Sequence, residues 1–488
     1  YCGDMATNER TFFGHPWGLA NLFGVEMWER FSFYGLQAIL LYYLYYQTTD
    51  GGLGIDESIA TAIVGAYGGL VYVAAIGGGW VADRVLGAER TLFYSAIIVM
   101  LGHVSLGLLP GIPGLTVGLM LVALGSGGVK TTASTVLGGL YEDGDPRLDG
   151  GYSIFYMGIN IGALFGPLIT GWMWGQAGFH WGFGMAAFGM AIGLIQYAVM
   201  RKDTIGAVGS TVLNPAPRSQ ILSVLGITLA LVAVVVVLFT TGILQIGWLS
   251  NFVSIVGGIA AVLLFVQMYS SPKTTKTEKH RLLGFIPMFF ASVMFWSIYQ
   301  QQFTVIAIYS DQRLNRTFGG FEVSPAWVGS ISPIFIIVFS GIFATMWLKL
   351  GERQPSTPMK YALSLMLTGL AAFIFIPFAG GGPNSTPFFA MVAILFLFTM
   401  AELMISPVGL SLASRLAPAR FATRMMSLQF LSLAVGTALS GTFAGYYDAG
   451  DAGAERTYFL VIGAAAILGG LVMVALRRGI LTAFEGVQ

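Results

Sequence analysis

The sequence predicts an all-α polytopic membrane protein: two six-helix bundles joined through two additional helices. Three observations lead there. Of 488 residues, 56% are hydrophobic and only 10% charged, with a mean hydropathy of +0.76, whereas soluble domains carry about 25% charged residues. Apolar runs long enough to cross a bilayer recur fourteen times between loop signals. The basic residues fall almost entirely on alternate loops, as the positive-inside rule requires.

Taken in order, the runs lie at about 17-46, 58-83, 89-109, 113-140, 150-175 and 182-200. A polar connection from Arg201 to Ser219, with Pro215 and Pro217, leads to two plain runs at about 220-241 and 245-269. A second polar link, Ser270 to Arg281, carries Lys273, Lys276 and Lys279 and precedes six more runs at about 282-311, 323-351, 356-378, 387-417, 420-447 and 456-476. The organisation expected is a tail at 1-16, a first bundle at 17-200, a linker with two helices at 201-281, a second bundle at 282-476 and a tail at 477-488. The inserted pair has no charge within the membrane, and lipid-facing packing is its expected role.

With a cytoplasmic N-terminus, nineteen of the 24 basic residues lie on inside loops and helix ends, and only Arg313, Arg316 and Arg456 lie outside. Arg30 and Lys130 fall in the membrane. Both termini are thus expected in the cytoplasm. A net charge of +1 without a long basic run gives no reason to expect a nucleic-acid partner. Cys2 is the only cysteine, so an intrachain disulfide or cysteine-ligated metal is excluded. His15, His103, His180 and His280 are scattered, so no metal centre is expected. The first run is too long for a signal-peptide core and carries charge, so no cleavable leader is expected.

Those charges define the candidate site. Glu26, Glu29 and Arg30 sit three and four residues apart and share a helix face, which Tyr34 and Gln37 continue. Charge within a bilayer costs several kcal/mol unless paired or facing water, and it marks an ion or substrate path; the competing reading is an ion pair that only locks packing. Six plus six helices suggest halves related by an axis along the membrane normal, with substrate bound near the midplane. Lys130, in the fourth run of the first half, then corresponds in position to Glu402, in the fourth run of the second, and the two are expected to face each other across a cavity. The first run of the second half carries Trp296, Tyr299, Gln300, Gln301 and Gln302 where the first half carries charge.

Three carboxylates against two cations leave one in excess, which is expected to hold a proton part of the time. Unlike walls suit a zwitterion, and a di- or tripeptide separates its termini by roughly 7 to 10 Å. Tyr34, Tyr72 and Trp296 supply aromatic surface for its side chains and ammonium. Gly166-Pro167, Ser332-Pro333 and Ser406-Pro407 are expected to interrupt helices.

The segment Glu26-Met27-Trp28-Glu29-Arg30-Phe31-Ser32-Phe33-Tyr34-Gly35 resembles the ExxERFxYYG signature of the proton-dependent oligopeptide transporters, a family of the major facilitator superfamily, in its bacterial fourteen-helix form. Gly77 to Gly87 is similar to the superfamily's cytoplasmic loop motif, Ser153 to Ala163 to the family's fifth-helix signature, and Glu402 to Leu410 to its tenth-helix signature. The resemblance implies the major facilitator fold and proton-coupled import of di- and tripeptides by alternating access. It assigns Glu26, Glu29, Arg30 and Lys130 to proton coupling, and Lys130 also to the peptide carboxylate. Asn160 and Glu402 would hold the amino end, with Tyr34, Tyr72 and Trp296 shaping the pocket.

The sequence departs from the family pattern at Phe33, usually Tyr; Gln37, often Arg; Thr131-Thr132, usually Pro-Asn; Gln300, often Glu; Ser332, usually Asn; and Gln429, usually Trp. Gln37, Gln300, Ser332 and Gln429 are counted with the substrate-binding positions. The loss of charge at Gln37 and Gln300 is expected to shift coupling onto Glu26 and Glu29 against Arg30, with Lys130 held for substrate. It also keeps open a second substrate class on the same fold: a modified amino acid, a peptide-like drug or an anion. No intramembrane HExxH, GxSxG or His-Asp pairing is present, so an enzyme is not expected. The expected partners are peptides, protons and the bilayer, with no cofactor besides the proton, and the expected working unit is a monomer.

Overall fold

A computed structural model describes residues 10–142, 145–212 and 214–487. Cys2 and most of the expected N-terminal tail lie outside the described residues. Residues 11–16 form a hairpin of β1 (Thr11–Phe12) and β2 (His15–Pro16). Phe13 and Gly14 at its tip both have positive φ, the requirement of the tight turn that matches strand twist. His15 Nδ1 lies 3.0 Å from the Tyr141 hydroxyl, and Arg147 donates to the Gly14 carbonyl at 3.1 Å, which seats the hairpin.

The helices that follow are α1 (Gly18–Tyr45), α2 (Glu57–Val81), α3 (Ala88–Leu108), α4 (Gly111–Gly138), α5 (Leu148–Ala177), α6 (Phe179–Thr204), α7 (Arg218–Thr240) and α8 (Leu249–Ser270). Beyond them lie α9 (Lys276–Tyr299), α10 (Val305–Gln312), α11 (Ile331–Leu350), α12 (Thr357–Ile374), α13 (Phe388–Leu416), α14 (Ala422–Ala444) and α15 (Ala452–Ala483). α9 and α10 are one span, Lys276–Gln312. Among the described residues, thirteen spans are long and apolar enough to cross a membrane, and α1, which carries Glu26, Glu29 and Arg30, is with 28 residues a further helix of spanning length. Fourteen spans in all agree with the expected count.

Three details differ from the sequence expectation. The seventh run is broken, because Gln300–Phe303 is a 3-10 turn and Thr304 takes φ −123° and ψ −99°, outside the helical region. Pro333 does not interrupt a helix: it lies in the first turn of α11, where its missing amide costs no bond, just after the 3-10 segment Pro325–Ser330. Pro167 and Pro407, also expected to interrupt their helices, lie inside α5 and α13, which run on through them, as α9 does through Pro287. The last helix continues through Arg477 and Arg478 to Ala483, since arginines near a membrane boundary can reach the headgroups without ending the helix.

Packing divides the chain into two compact units. The first comprises the residues up to Leu36, Ala74–Thr170 and His180–Leu231; the second comprises Gln37–Val73, Gly171–Phe179 and the chain from Val232 onward. In the first, α1 meets α5 along Gly158, Gly162 and Gly166, spaced four apart on one face. A Cβ on Gly162 would lie 2.2 Å from the Met27 carbonyl oxygen, and one on Gly166 would lie 2.4 Å from that of Phe31. Such small residues let helix backbones approach where no hydrophobic drive exists between them. Glu89 pairs with Arg201 at 2.7 Å and accepts from the Tyr197 hydroxyl, holding α3 to α6.

In the second unit, α8 packs one face of Ser250, Val253, Ser254, Gly257 and Ala261, and Ser250 donates to the Ala62 carbonyl at 2.6 Å. α7 has no buried residue, as lipid-facing packing requires. Arg313, in the turn just after α10, is buried against Glu455 at 2.8 Å, and it also donates to the Phe378 carbonyl. Glu455 further accepts from the Gly380 amide at 3.0 Å. Removing one member of such a pair strands the other charge, at a cost of about 3–5 kcal/mol. Glu455→Ala is therefore expected to lower the melting temperature of the detergent-solubilised protein sharply, and the double variant Arg313→Met, Glu455→Leu to lower it less.

Candidate functional site

The first cluster forms because α1 carries its charges at helical spacing. Arg30 Nε donates to Glu26 Oε1 at 2.9 Å and lies 2.8 Å from Glu29 Oε2. All three side chains are at most 3% exposed. The other oxygen of Glu29 accepts from the Ser126 hydroxyl of α4. Ser32 turns back to the Glu29 carbonyl at 2.8 Å. Phe33 is buried between two cations: Arg30 Cζ lies 5.4 Å from its ring centroid and Lys130 Nζ 5.7 Å. The face of a ring attracts cations whether or not it bears a hydroxyl, so Phe33 keeps that part of a tyrosine's role.

Lys130, on α4, is partly buried, as is Tyr34, whose ring meets Phe33 edge-on. Asn160 on α5 is 5% exposed and donates back to the Tyr156 carbonyl of its own helix at 2.9 Å. The first unit therefore holds Glu26, Glu29, Arg30, Tyr34, Lys130 and Asn160, while Gln37, Tyr72, Trp296, Gln300, Ser332, Glu402 and Gln429 belong to the second.

In the second unit Glu402 of α13 accepts from the Tyr299 hydroxyl of α9. Trp296 packs edge-on against Tyr299 at 5.4 Å. The break at Gln300–Phe303 turns three amides in different directions. Gln301 Oε1 accepts from the Tyr458 hydroxyl at 2.8 Å. Gln302 donates to the Tyr299 carbonyl at 3.3 Å and accepts from Ser332 at 3.0 Å. Gln300 is 8% exposed, and its Oε1 has no hydrogen-bond partner among the described residues.

Two cavities open beside these groups. One, of about 320 Å³ with its mouth included, is lined by Trp296, Ser292, Ser406 and Gln429 with apolar neighbours. The other, of about 370 Å³ measured in the same way, is lined by Gln37, Tyr42, Gln302 and Ser310 among apolar residues. Tyr72 is partly buried on α2.

The far end of α1 is tied to α10. Tyr45 and Tyr46 both donate to the carboxylate of Asp311, the second at 2.7 Å. Tyr42 donates to the Ala307 carbonyl at 3.0 Å and stacks on Trp174 at 5.2 Å. Gln312 donates to Glu57 at 2.6 Å. Asp56, outside the helices, is held below the usual carboxylate range by hydrogen bonds from Ser58.

Sequence reasoning missed Ser126 and the acceptor role of Asp311. Ser126 stands four residues before Lys130, one helical turn away on the same face, which was the available signal. Nothing local marks Asp311, because its partners are more than 260 residues away.

The sequence profile of the POT family matches residues 89–459. The chain belongs to the POT family. It is 43% identical over 482 residues to "Uncharacterized transporter YclF" of Bacillus subtilis, covering 98% of this chain and 97% of that one. It is 39% identical to the "Di-/tripeptide transporter" of Lactococcus lactis subsp. cremoris, with 98% of each chain covered. The crystal structure of a peptide transporter POT in complex with sulfate superposes with a TM-score of 0.92 at 42% identity over 98% of each chain. The fold is accordingly the major facilitator type, and the molecule is a multi-pass membrane transporter of this family.

The geometry that defines this POT family member is the contact of α1 with α5 that carries Arg30. Gly162→Val adds bulk where even a Cβ meets the Met27 carbonyl and Arg30 Cβ. Overpacking of this kind costs about 1–3 kcal/mol or more. The variant is expected to melt at lower temperature and to lose transport, whereas Gly175→Ala, where a Cβ meets nothing within 4 Å, should do neither.

Proposed function

We propose that this chain is a proton-coupled symporter that imports di- and tripeptides by alternating access. The observation that carries the reading is the buried triad of Glu26, Arg30 and Glu29: two carboxylates share one guanidinium nitrogen in a membrane-crossing helix. Such groups are maintained in a membrane where they serve ion or substrate movement. The peptide assignment draws support from membership of the POT family and from relatives that are named peptide transporters.

In this reading the first-helix carboxylates exchange the coupled proton. Lys130 receives the substrate carboxylate, with Phe33 beside it. Glu402, oriented by Tyr299, receives the substrate ammonium, and Asn160 assists at that end. Tyr34, Tyr72 and Trp296 bound the side-chain space, while Gln37, Gln300, Ser332 and Gln429 give it neutral polar walls. The substrate leaves chemically unchanged, and the proton is the only coupling ion. The basic-residue asymmetry supports a bacterial inner-membrane setting with both termini cytoplasmic, and the protein works as a monomer.

Purified protein in liposomes is expected to accumulate labelled dialanine above equilibrium under an inward proton gradient. An uncoupler should abolish accumulation, unlabelled tripeptide should compete, and Lys130→Ala should reduce uptake to background. Accumulation that persists without a gradient would contradict the reading.

A further inference from the structure

The polar wall of the cavity beside Trp296 is weighted towards acceptors. Ser432 of α14 donates its hydroxyl to the Gln429 carbonyl at 2.7 Å. A serine has one hydroxyl hydrogen, so the 2.7 Å contact between Ser292 and Ser432 is donated by Ser292. Ser292 lines the cavity, and with its hydrogen spent its oxygen can only accept. Gln429, 4% exposed, lines the same cavity. Its Nε2 is turned towards the α13 backbone at Gly409, where an added Cβ would lie 2.8 Å from it, and its Oε1 has no hydrogen-bond partner among the described residues. A buried acceptor left without a donor is costly and calls for an explanation. Trp296 adds an indole ring, the aromatic group that attracts cations best. No lysine or arginine lines the cavity, and Glu402 stands one turn before Ser406 on α13.

We propose that Gln429 and Ser292 make this cavity a subsite for a cationic substrate side chain, the ammonium of a lysine peptide or the guanidinium of an arginine peptide. This rests on the peptide-symport reading and names the substrate class that the second unit selects. An ammonium carries three donors and no acceptor, so it meets Gln429 Oε1 and Ser292 Oγ without bringing an unmatched acceptor of its own. A hydroxyl or primary amide brings lone pairs that this wall does not satisfy, and a carboxylate is repelled by it. Hydrogen bonds from a charged donor are also the stronger ones. Ile405, Leu410 and Leu433 line the cavity as well, and they suit the methylene stem, which long cationic side chains lay along apolar surface while the head stays polar. The volume of about 320 Å³, mouth included, is at the small end for ligand pockets. It admits one side chain, with the rest of the substrate held elsewhere.

The test uses the full-length protein, with ligand-induced shifts in melting temperature and competition against labelled dialanine uptake as two readouts of affinity. The probes are alanyl-lysine, lysyl-alanine and their norleucine counterparts, which keep the carbon stem and lack the ammonium. In at least one order the lysine peptide is expected to bind about tenfold tighter than its norleucine counterpart, the size of one hydrogen bond to a charged group. Alanyl-glutamate is expected to bind more weakly than either. In Gln429→Leu the lysine-to-norleucine ratio should fall close to one. In Gln429→Glu, which replaces the amide by a group that only accepts, it should widen, and in Ser292→Ala it should narrow. The ratio is read because a general loss of activity cancels from it.

Norleucine peptides that bind as tightly as the lysine peptides in both orders would overturn the proposal. So would a Gln429→Leu protein that keeps the wild-type ratio, since the preference would then arise outside this cavity. Should Gln429→Leu fail to fold, Gln429→Glu and Ser292→Ala decide, and an unchanged ratio in both overturns the proposal. Failure of dialanine and of every peptide to bind the wild-type protein would instead overturn the peptide reading beneath it.

Discussion

A guanidinium enclosed in the membrane with two carboxylates is the constraint on which the rest of the structure depends. Arg30 is 1% exposed, and its only hydrogen bond to a described residue is the one from Nε to Glu26. Burying an ion costs several kcal/mol that only close partners offset, so the surroundings must hold those partners in place. The glycine face of α5 lets α1 approach closely at the turn that bears Arg30. Ser126 reaches Glu29 from α4, and Phe33 offers the same ring to both Arg30 and Lys130. Each of these contacts involves a different helix or a different turn of α1, so the charged cluster is also what ties α1, α4 and α5 together.

The second half of the chain meets the same problem with neutral groups. Where the first half places charge, the second breaks its helix at Gln300–Phe303 and sends three glutamine side chains in separate directions. Each buried amide brings donors and an acceptor that need partners, at less cost than an ion when one is missing. Gln301 and Gln302 find them in Tyr458 and Ser332. Glu402 is the exception, a carboxylate in α13 steadied by one tyrosine hydroxyl. At these corresponding positions one half holds a network of opposite charges and the other holds Glu402 among amides and aromatic rings, while the buried pair Arg313–Glu455 of the second half lies on other elements.

What was legible in the sequence follows from the range of each interaction. Helical periodicity alone places Glu26, Glu29 and Arg30 on one face, and apolar run lengths place the fourteen spans close to their ends except at the start of the seventh, which begins at Lys276 and not 282, and the end of the last, which runs to Ala483 and not 476. The failures are tertiary or conformational. Ser126 belongs to the cluster only because α4 packs against α1. The break at Thr304 is invisible because neither glycine nor proline marks it and the apolar run resumes at Val305. Pro333 reads as a helix breaker, but proline costs nothing in a first turn, and the sequence does not say where that turn begins. Arg313 lies in a loop as read, but its burial is not legible because its partner, Glu455, lies 142 residues away.

The central claim is that a carboxyl group of the first-helix cluster gains and loses a proton during transport. Infrared difference spectroscopy of membrane-reconstituted protein, recorded with and without dialanine at constant pH, tests it most directly. The account predicts a change in the protonated-carboxyl band when substrate binds, shifted by deuterium exchange and absent from the double variant Glu26→Gln, Glu29→Gln. A band that does not respond to substrate, or one that survives unaltered in that variant, would contradict it.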